Sequence, residues 1–258
     1  MKRRAVEFAA RLDEVKAGKS EAPWWGWYPY KILPAFIDQL DSLLNGEHRR
    51  LFDDPAGRRI ADIGAADGDL GFFLETIGFN VDLIDGGDES VRELRLLPPR
   101  LLKKALNSSA DIYGVDLDHD FKLPGTYDLV FFLGVLYHLR NPMLALEALS
   151  RSTRYCILST KVAHHVPTRG RMGRKKLVDV SQLPVAYLLD AFEVNPDDDT
   201  NYWVFSEASL RRVLSRSGWK VLEYMTMGNP DAEPASANEA RAWCLLQSEV
   251  APAEGPEV

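Results

Sequence analysis

Short apolar runs alternate with amphipathic stretches through the middle of this chain. The runs have the length and the residue types of buried strands. They predict strands at 60–63, 79–84, 111–115, 127–133 and 155–159. Helical spacing of apolar residues follows several of these runs, and Pro98-Pro99 predicts a disturbance in the helix that begins at Glu89. Alternation of strand and helix predicts an α/β fold with a doubly wound, mostly parallel sheet.

The later part of the chain adds two more strands to this prediction. Ser206 is a predicted N-cap of a helix that Gly218 terminates. The runs 221–225 and 242–246 follow within a short stretch, which favours an antiparallel pair at one edge of the sheet. The predicted sheet therefore has seven strands and one antiparallel edge strand.

The pattern also suggests a domain organisation. Residues 1–57 combine two predicted helices with an aromatic segment, and form an N-terminal helical cap and aromatic strap. Residues 58–248 form the main domain, and 161–200 have too little periodicity for its sheet and are expected to be a lid inserted above it. Residues 249–258 have the composition of a disordered tail.

Composition narrows the class of protein. The chain has 258 residues, 46% apolar, and no apolar run reaches the roughly 18 residues that span a bilayer. The basic N-terminus lacks the apolar core of a signal peptide, so a soluble cytoplasmic protein is expected. A net charge of −7 gives no overall attraction to nucleic acid. Cys156 and Cys244 are expected to be free buried thiols, because both lie in apolar strand-like runs.

The candidate chemistry centres on the stretch 58–74, RRIADIGAADGDLGFFL, which predicts a strand, a tight loop and a helix. Ligands of open α/β sheets bind beyond the carboxyl ends of the strands, where Asp62, Asp85, Asp116 and Gly134 lie. An acid that ends the second strand suits the hydroxyls of a ribose. This much fits a nicotinamide dinucleotide and S-adenosylmethionine equally.

The loop sequence favours the sulfur nucleoside. A dinucleotide fingerprint has glycine at its second position, where this chain has Ala66. Asp67 and Asp69 add negative charge where a pyrophosphate would bind. Two carboxylates suit a ligand with a cationic amine and a sulfonium, although ordinary capping of a helix N-terminus explains them as well.

These residues resemble a known family. The stretches IADIGAADGDLGFFLE and YDLVFFLGVLYHLRNPMLALEAL, together with Asp85, are similar to the nucleotide-binding motifs of class I S-adenosylmethionine-dependent methyltransferases, which implies a Rossmann-like fold. The phrases GVLYHLRNP and NYWVFSEASLRRVLSRSGWKV resemble in particular the branch of the bacterial tRNA wobble-uridine carboxymethyltransferases and their uncharacterised relatives. The implied cofactor-binding residues are Asp62, Gly64, Ala65, Ala66, Gly68, Asp85, Gly86, Asp116, Leu117, Leu133 and Gly134.

The expected donor is plain S-adenosylmethionine, because the chain departs from the pattern of this branch. The tRNA enzymes have an N-terminal R-K-G-P-F stretch whose lysine helps to bind the carboxylate of carboxy-S-adenosylmethionine, and nothing matches it before Trp24. Tyr137 corresponds to another carboxylate contact, but a tyrosine at the methyl site serves ordinary methyl transfer too. Carboxymethyl transfer therefore stays an alternative.

Tyr137 and His138, just after the fourth strand, are the candidate catalytic residues, because they could orient an acceptor or remove its proton. A structural hydrogen bond is the competing explanation for His138. The adjacent pair His164-His165 is interpreted as a solvated loop pair, and no metal site is predicted.

Two aromatic clusters are candidate acceptor contacts, and packing of the strap and of the insertion is the competing explanation. The predicted substrate-binding residues are Trp24, Trp25, Trp27, Tyr30, Asn201, Tyr202 and Trp203. The loop 169–176 contains five basic residues and no acid, so it could grip RNA phosphates, although a solvated loop has the same composition.

The sequence thus predicts a methyltransferase that modifies an oxygen or nitrogen of a small molecule. A tRNA-modifying methyl- or carboxymethyltransferase is the alternative among enzymes of this kind. A dinucleotide-dependent oxidoreductase and a non-catalytic nucleotide-binding module are the alternatives from other classes. The oligomeric state is left open.

Overall fold

A computed structural model describes residues 1–18, 26–28, 33–86, 89–169, 175–236 and 239–250. The predicted contacts Trp24, Trp25 and Tyr30, and the centre of the basic loop at 170–174, lie outside the described residues. The chain divides into two compact units. The first holds Met1–Phe131 and Ser152–Arg154, and the second holds Phe132–Arg151 and the described residues from Tyr155 onward.

The first unit contains four helices and four strands among its described residues. The helices are α1 (Lys2–Ala17), α2 (Leu33–Leu43), α3 (Asp69–Thr76) and α4 (Glu89–Leu106), with a 3-10 helix at Gly46–Phe52. The strands are β1 (Arg59–Ile63), β2 (Asn80–Asp85), β3 (Asp111–Gly114) and β4 (Tyr127–Leu133), whose last two residues belong to the second unit. The buried residues of α2 recur at helical spacing, whereas Gly71, Phe72, Phe73 and Leu74 of α3 are buried in succession.

The strands of the first unit lie in the order β4-β1-β2-β3. β2 is parallel to both β1 and β3, so the carboxyl ends of the three strands share one edge. Ile60, Ala61 and Ile63 are buried, as a central strand covered on both faces requires. On α1, Phe8 packs against Phe73 of α3 with ring centroids 5.9 Å apart.

Helix α4 continues through Pro98 and Pro99, where the sequence predicted a disturbance. A proline removes one backbone donor, but its fixed φ is a helical one. Buried Leu96 and Leu102 lie on either side of the pair, and their packing maintains the helix across it.

The second unit contains helices α5 (Pro142–Ser152) and α6 (Glu207–Arg216) and a 3-10 helix at Leu136–His138. Its strands are β5 (Thr153–Ala163), β6 (His165–Arg169), β7 (Lys175–Asp179), β8 (Ala186–Leu188), β9 (Trp203–Ser206), β10 (Trp219–Met227) and β11 (Ala240–Ser248). The last residue of α5 and the first two residues of β5 belong to the first unit. Ser206 caps α6 as predicted, accepting a hydrogen bond from the Ser209 N–H at 3.1 Å.

β11 lies between β5 and β10 and is antiparallel to both. β6 and β7 form a separate antiparallel hairpin. The short strand β8 pairs with β9, and β9 pairs with β5. The predicted α/β class, the parallel strands and the antiparallel pair are confirmed. The seven predicted strands are all present, and β6, β7, β8 and β9 were not predicted.

Two smaller predictions can be compared directly with the structure. Cys156 and Cys244 are free and buried, as predicted. Among the described residues, no helix combines the length and the apolar character that crossing a bilayer requires.

Candidate active site

The loop between β1 and α3 is folded tightly against the end of β2. The N–H groups of Gly64 and Ala65 both donate to the Ile84 carbonyl, at 2.8 and 3.3 Å. Ala66 has a φ of +50° and Gly68 a φ of +86°, so the backbone turns sharply before α3 begins. A Cβ on Gly68 would lie 2.8 Å from the Phe72 ring, so glycine is required there for space as well as for its φ.

Asp85 connects this loop to the carboxyl end of β2. Its Oδ2 accepts a hydrogen bond from the Ala66 N–H at 2.7 Å, and its Oδ1 accepts one from the Gly86 N–H at 2.6 Å. The carboxylate is 8% exposed, and burial raises its pKa although the two backbone donors oppose the shift. Each oxygen keeps a lone pair beyond these bonds, so the carboxylate can still accept two ribose hydroxyls.

Gly86 brings the chain close to the end of β3. A Cβ on Gly86 would lie 2.9 Å from the Val115 carbonyl oxygen, and its φ is +150°. Only glycine therefore fits at this position, because a side chain would collide with the backbone of Val115.

Lys16 of α1 occupies the position in which the sequence suggested a cationic ligand. Its Nζ lies 2.8 Å from Asp67 Oδ2 and 2.8 Å from Asp69 Oδ1. Burial alone lowers the pKa of Lys16, but Asp69 and Asp67 raise it above its usual value. The chain therefore supplies the cation for both carboxylates, which the sequence interpretation had assigned to a sulfonium and an amine.

Trp27 and Tyr28 contact the ion pair between Lys16 and Asp67. The Trp27 Nε1–H donates to the Lys16 carbonyl at 3.2 Å, and the Lys16 ammonium is 5.7 Å from the centre of the Trp27 ring. The Tyr28 N–H donates to Asp67 Oδ2 at 2.9 Å. The described part of the aromatic strap is thus held against the loop between β1 and α3, which we call the cofactor loop because S-adenosylmethionine is expected to bind there. A contact between Trp27 and an acceptor stays a prediction.

Asp62 is buried beneath the loop. Its Oδ2 accepts a hydrogen bond from the Gly71 N–H at 3.0 Å, and burial raises its pKa to about 7. A Cβ on Gly71 would lie 2.1 Å from Leu83 Cδ2, so this helix packs on β2 without a side chain at that point. Asp62 therefore fixes the start of α3 from inside the unit.

Asp116 and Leu117 follow β3. Asp116 Oδ1 accepts the N–H groups of Asp118 and His119, and the His119 ring lies 3.1 Å from Oδ2. Burial raises the pKa of Asp116, but these donors keep it below its usual value. Asp116 shapes its own turn, Leu117 is buried, and their contact with an adenine remains a prediction.

In the second unit, the residues that follow β4 form a compact turn. Leu133 is the last residue of the strand, and the Gly134 N–H donates to the Ser159 carbonyl at 2.8 Å. The φ of Gly134 is +70°, and a Cβ there would lie 3.5 Å from the Tyr137 hydroxyl. The turn therefore places the Tyr137 hydroxyl directly above the end of β4.

Tyr137 lies between two cations. The Lys161 ammonium is 5.0 Å from the centre of its ring and the Arg241 guanidinium is 5.3 Å from it. Arg241 Nη2 also donates to the Tyr137 hydroxyl at 3.1 Å. The hydrogen bond from Arg241 fixes the hydroxyl, so this tyrosine is suited to orient a ligand.

The tautomer of His138 follows from its hydrogen bond. Its Nδ1 is 2.9 Å from the Thr200 carbonyl oxygen, which can only accept, so Nδ1 carries the proton. A neutral ring then has its lone pair on Nε2, the nitrogen that a general base would use. The structural hydrogen bond and the base role, which were alternatives in the sequence, are compatible here.

Residues 200–203 cover the Tyr137 turn. The Tyr202 N–H donates to the Tyr137 carbonyl at 2.8 Å, and the Asn201 amide donates to Asp198 at 2.9 Å. The Tyr202 hydroxyl accepts from Arg140 at 2.9 Å, and Trp203 Nε1 lies 3.4 Å from the Arg140 carbonyl. These contacts bring Asn201, Tyr202 and Trp203 together beside Tyr137, and contact with an acceptor remains a prediction.

His164 differs from its interpretation as part of a solvated pair. Its side chain is mostly buried, and Nε2 lies 2.5 Å from Glu207 Oε1. His165 is half-buried, and its Nδ1 lies 3.1 Å from the Pro230 carbonyl oxygen. Among the described residues, no group of three His, Cys, Asp or Glu side chains could hold a metal ion.

Three cations that contact candidate residues, one in the first unit and two in the second, were missed by sequence reasoning. Lys16 was placed on an ordinary amphipathic helix, and Lys161 was assigned to the insertion because β5 was predicted to end at Ser159. Arg241 was passed over at the start of the last strand. A charged residue inside an otherwise apolar strand is the signal that could have identified Lys161.

Comparison with known proteins agrees with the geometry. A family described as "Methyltransferase domain" matches residues 36–224, more than half of the chain. The tRNA U34 carboxymethyltransferase of Campylobacter hominis is 33% identical over 131 residues, which cover 50% of this chain and 44% of that protein. The enzyme of the same name from Idiomarina loihiensis is 29% identical over 134 residues, 50% of this chain and 41% of that protein. The matched part therefore spans less than half the length of these relatives.

Two solved structures share the fold over nearly the whole chain. The N-terminal domain of EvdMO1, in the presence of SAH and D-fucose, has a TM-score of 0.57 at 18% identity and covers 96% of this chain and 97% of that one. The magnesium protoporphyrin IX methyltransferase of Synechocystis PCC 6803, with bound SAH, has a TM-score of 0.53 at 17% identity and covers 93% and 94%. At these identities the likeness shows the fold alone, which is the Rossmann-like fold that was predicted.

Proposed function

The chain belongs to the methyltransferase domain family, and we propose that it transfers the methyl group of S-adenosylmethionine to an oxygen or nitrogen of a small-molecule acceptor. The cofactor, when bound, supplies a methyl group on a positively charged sulfur, which a nucleophile attacks in line. The Asp85 carboxylate, which the Ala66 and Gly86 N–H groups hold at the end of β2, would bind the ribose hydroxyls.

The residues after β4 would act on the acceptor. Alignment of the nucleophile with the methyl group provides much of the acceleration in such a displacement. The Tyr137 hydroxyl, held by Arg241, would orient the acceptor, and His138 Nε2 would accept a proton from an oxygen or nitrogen nucleophile. Removal of this proton makes the nucleophile more reactive and leaves no charge on the product.

The observation that supports a small acceptor is the enclosure of Tyr137. Its side chain is 7% exposed, because Lys161 and Arg241 lie over its ring and residues 200–203 pack on its turn. A small molecule would reach a side chain buried in this way more readily than a segment of folded RNA would. The net charge of −7 also favours a small acceptor, because a negatively charged protein has no overall attraction to RNA phosphates.

A tRNA acceptor is the second candidate, and the two tRNA-modifying relatives favour it. The hairpin β6–β7 carries Lys175 and Lys176, which could contact phosphates. Lys175 is already paired with Glu233 at 2.5 Å, which reduces the positive charge this hairpin offers. A carboxymethyl donor belongs to the same alternative.

Calorimetric titration with S-adenosylmethionine, S-adenosylhomocysteine and NADH tests the cofactor. Micromolar binding of both sulfur nucleosides, about −8 kcal/mol, without binding of NADH, is expected. Binding of NADH alone would overturn the proposal in favour of an oxidoreductase.

Transfer of a radiolabelled methyl group then tests the acceptor. The protein is offered a cell extract separated into small molecules and bulk tRNA, and label is expected in the small-molecule fraction. Label in the tRNA fraction would favour the alternative. Cofactor binding without transfer to either fraction would favour a non-catalytic module.

A further inference from the structure

A small ribbon of two strands, β8 and β9, has one buried face and one exposed apolar face. Tyr187 lies opposite Val204, and Val204 belongs to a buried apolar cluster on which Tyr187 packs. Leu188 lies opposite Trp203, and successive side chains of a strand point to opposite faces, so this pair lies on the other face. Leu188 is 59% exposed, and Trp203 is half-buried. The packing of the ribbon therefore leaves Leu188 and Trp203 available to a ligand.

Leu188 and Trp203 form one continuous apolar strip. The Leu189 N–H donates to the Tyr202 carbonyl at 2.8 Å, so the next pair along the ribbon, Leu188 with Trp203, is a non-hydrogen-bonded pair. Side chains lie closest together at such positions, with Cβ atoms about 4.5 to 5.5 Å apart. The flat indole and the leucine beside it therefore offer a surface on which one flat ring can lie.

The apolar strip lies beside the candidate general base. The Trp203 indole donates through Nε1 to the Arg140 carbonyl at 3.4 Å. Arg140 is two residues after His138, and the His138 ring donates to the Thr200 carbonyl at 2.9 Å. The exposed face of the ribbon is therefore the face that contacts the turn of His138. An apolar wall with a few polar groups beside it is typical of small-molecule sites.

The base narrows the kind of acceptor. A neutral imidazole removes a proton most readily from an acid whose pKa is not far above its own. A phenolic hydroxyl has a pKa of about 10, whereas an aliphatic hydroxyl is a far weaker acid. Among oxygen nucleophiles, a phenol therefore suits both His138 Nε2 and a flat apolar strip.

We infer that the acceptor is a phenol whose ring lies on Leu188 and Trp203 and whose hydroxyl faces His138 Nε2. This inference rests on the proposed function, because it names the chemical class of the molecule to be methylated. The phenol oxygen bonds to the methyl carbon as the bond from that carbon to sulfur breaks. Its proton passes to His138 Nε2, and S-adenosylhomocysteine leaves. Leu188 and Trp203 select the acceptor and take no part in the transfer itself.

The probe is 2-naphthol, because it is a flat phenol with no other polar group. Its match is decahydro-2-naphthol, which keeps the carbon skeleton and the hydroxyl and loses the flat rings. Calorimetry on the protein saturated with S-adenosylhomocysteine is expected to show at least about tenfold tighter binding of the phenol. Equal affinity, or tighter binding of the saturated alcohol, would overturn the inference.

Substitutions test the strip itself. Leu188→Ser and Trp203→Ser each remove one of its two apolar side chains, and each is expected to weaken 2-naphthol binding by about tenfold or more. Trp203→Phe keeps a flat ring and is expected to retain most of the affinity. Leu177→Ser is the matched control, because Leu177 is also exposed but lies on the separate hairpin of β6 and β7. Its affinity for 2-naphthol is expected to equal that of the wild type.

Leu188→Ser carries the test if Trp203→Ser fails to fold, because the Leu188 side chain is mostly exposed. Methyl transfer to 2-naphthol gives a second readout. Loss of a residue that only binds the acceptor is expected to raise KM about tenfold and to leave kcat within about twofold. A lowered kcat with unchanged KM, or a 2-naphthol affinity equal to that of the wild type, would overturn the inference.

An exposed apolar surface can also join two copies of a chain. Sedimentation velocity at the protein concentration of the titrations distinguishes this occupant from a small molecule. The wild type and Leu188→Ser are expected to sediment alike. A wild type that associates and a Leu188→Ser variant that does not would assign the strip to an interface and overturn the inference.

Titration of the same variants with S-adenosylmethionine separates this inference from the proposed function. A Leu188→Ser variant that keeps its cofactor affinity and loses 2-naphthol supports the inference. A wild-type protein that binds 2-naphthol through Leu188 and fails to bind S-adenosylmethionine would remove the proposed function, and the inference about a methyl acceptor with it. Cofactor binding without binding of 2-naphthol would remove the inference alone.

Discussion

Lys16 Nζ and Asp67 Oδ2 are 2.8 Å apart, and both side chains are nearly buried, at 11% and 5% exposure. Asp69 shares the same ammonium. The pair connects α1, the first helix, to the cofactor loop that begins 47 residues later at Gly64. The loop therefore depends on a helix that local sequence patterns place in a separate cap.

Replacing Lys16 by Met is expected to destabilise the protein by about 3 to 5 kcal/mol, because two carboxylates are left buried without their cation. Urea unfolding measures the change. Lys2→Met on the same helix is the control, since Lys2 pairs with Asp38 at an exposed position and its loss is expected to cost less than about 1 kcal/mol. Equal losses in the two variants would show that the buried pair is no stronger than a surface one.

Asp62→Asn is expected to change how stability depends on pH. Burial raises the pKa of Asp62 to about 7 from its usual 3.8, so the folded state holds a proton that the unfolded state has released between these values. This contribution to stability is complete below about pH 4 and is lost as pH rises to about 7, at about 1.4 kcal/mol per pH unit. The amide of the variant keeps an oxygen for the Gly71 N–H and removes the titration.

The measurement is the difference in unfolding free energy between the wild type and Asp62→Asn at pH 5, 6, 7 and 8. The wild type is expected to lose stability relative to the variant up to about pH 7 and to run parallel to it above. A difference that stays constant across this range would contradict the raised pKa.

Asp85→Ala is expected to weaken S-adenosylmethionine binding by about tenfold to a hundredfold, about 1.4 to 2.8 kcal/mol. The substitution removes the proposed ribose acceptor and also frees the Ala66 and Gly86 N–H groups, which loosens the loop. Calorimetry gives the affinity, and circular dichroism confirms that the variant is folded. Asp116→Ala is a useful comparison, because that carboxylate mainly caps its own turn and a smaller loss is expected. Unchanged affinity in a folded Asp85→Ala variant would remove Asp85 from the site.

His138→Asn is expected to lower kcat by about a hundredfold to ten-thousandfold, the usual effect of losing a general base. The asparagine amide can still donate to the Thr200 carbonyl, so the turn is expected to persist. Affinity for S-adenosylmethionine should stay within about twofold of the wild type. A kcat close to that of the wild type would leave His138 with the structural hydrogen bond only.

The elements that carry the cofactor loop could be predicted because their signals are local. The apolar run before Gly64, the small residues of the loop and the acid at the end of β2 lie within short stretches. Periodicity shows which residues are buried, but it does not show what they contact. Lys16 with Asp67 and Tyr137 with Arg241 are 51 and 104 residues apart, and no pattern in the sequence joins them.

The end of β5 also depended on contacts that the local sequence does not show. Lys161 interrupts an apolar run, and a charged residue usually marks the end of a buried strand. The strand continues to Ala163 because Val162 lies opposite Ala240 of β11, and Ala163 lies opposite Ser206 of β9. These pairing partners, 78 and 43 residues away, extend the strand against the local preference.

The position of β11 also affects how the chain is made. Its neighbours β5 and β10 are both synthesised first, and about 77 residues separate the end of β5 from the start of β11, which takes about 4 to 15 s at about 5 to 20 residues per second. During this interval the edge of β5 that β11 later covers has no strand beside it. An uncovered apolar edge promotes association between chains, so a ribosome that stalls before residue 240 would release a product prone to aggregate.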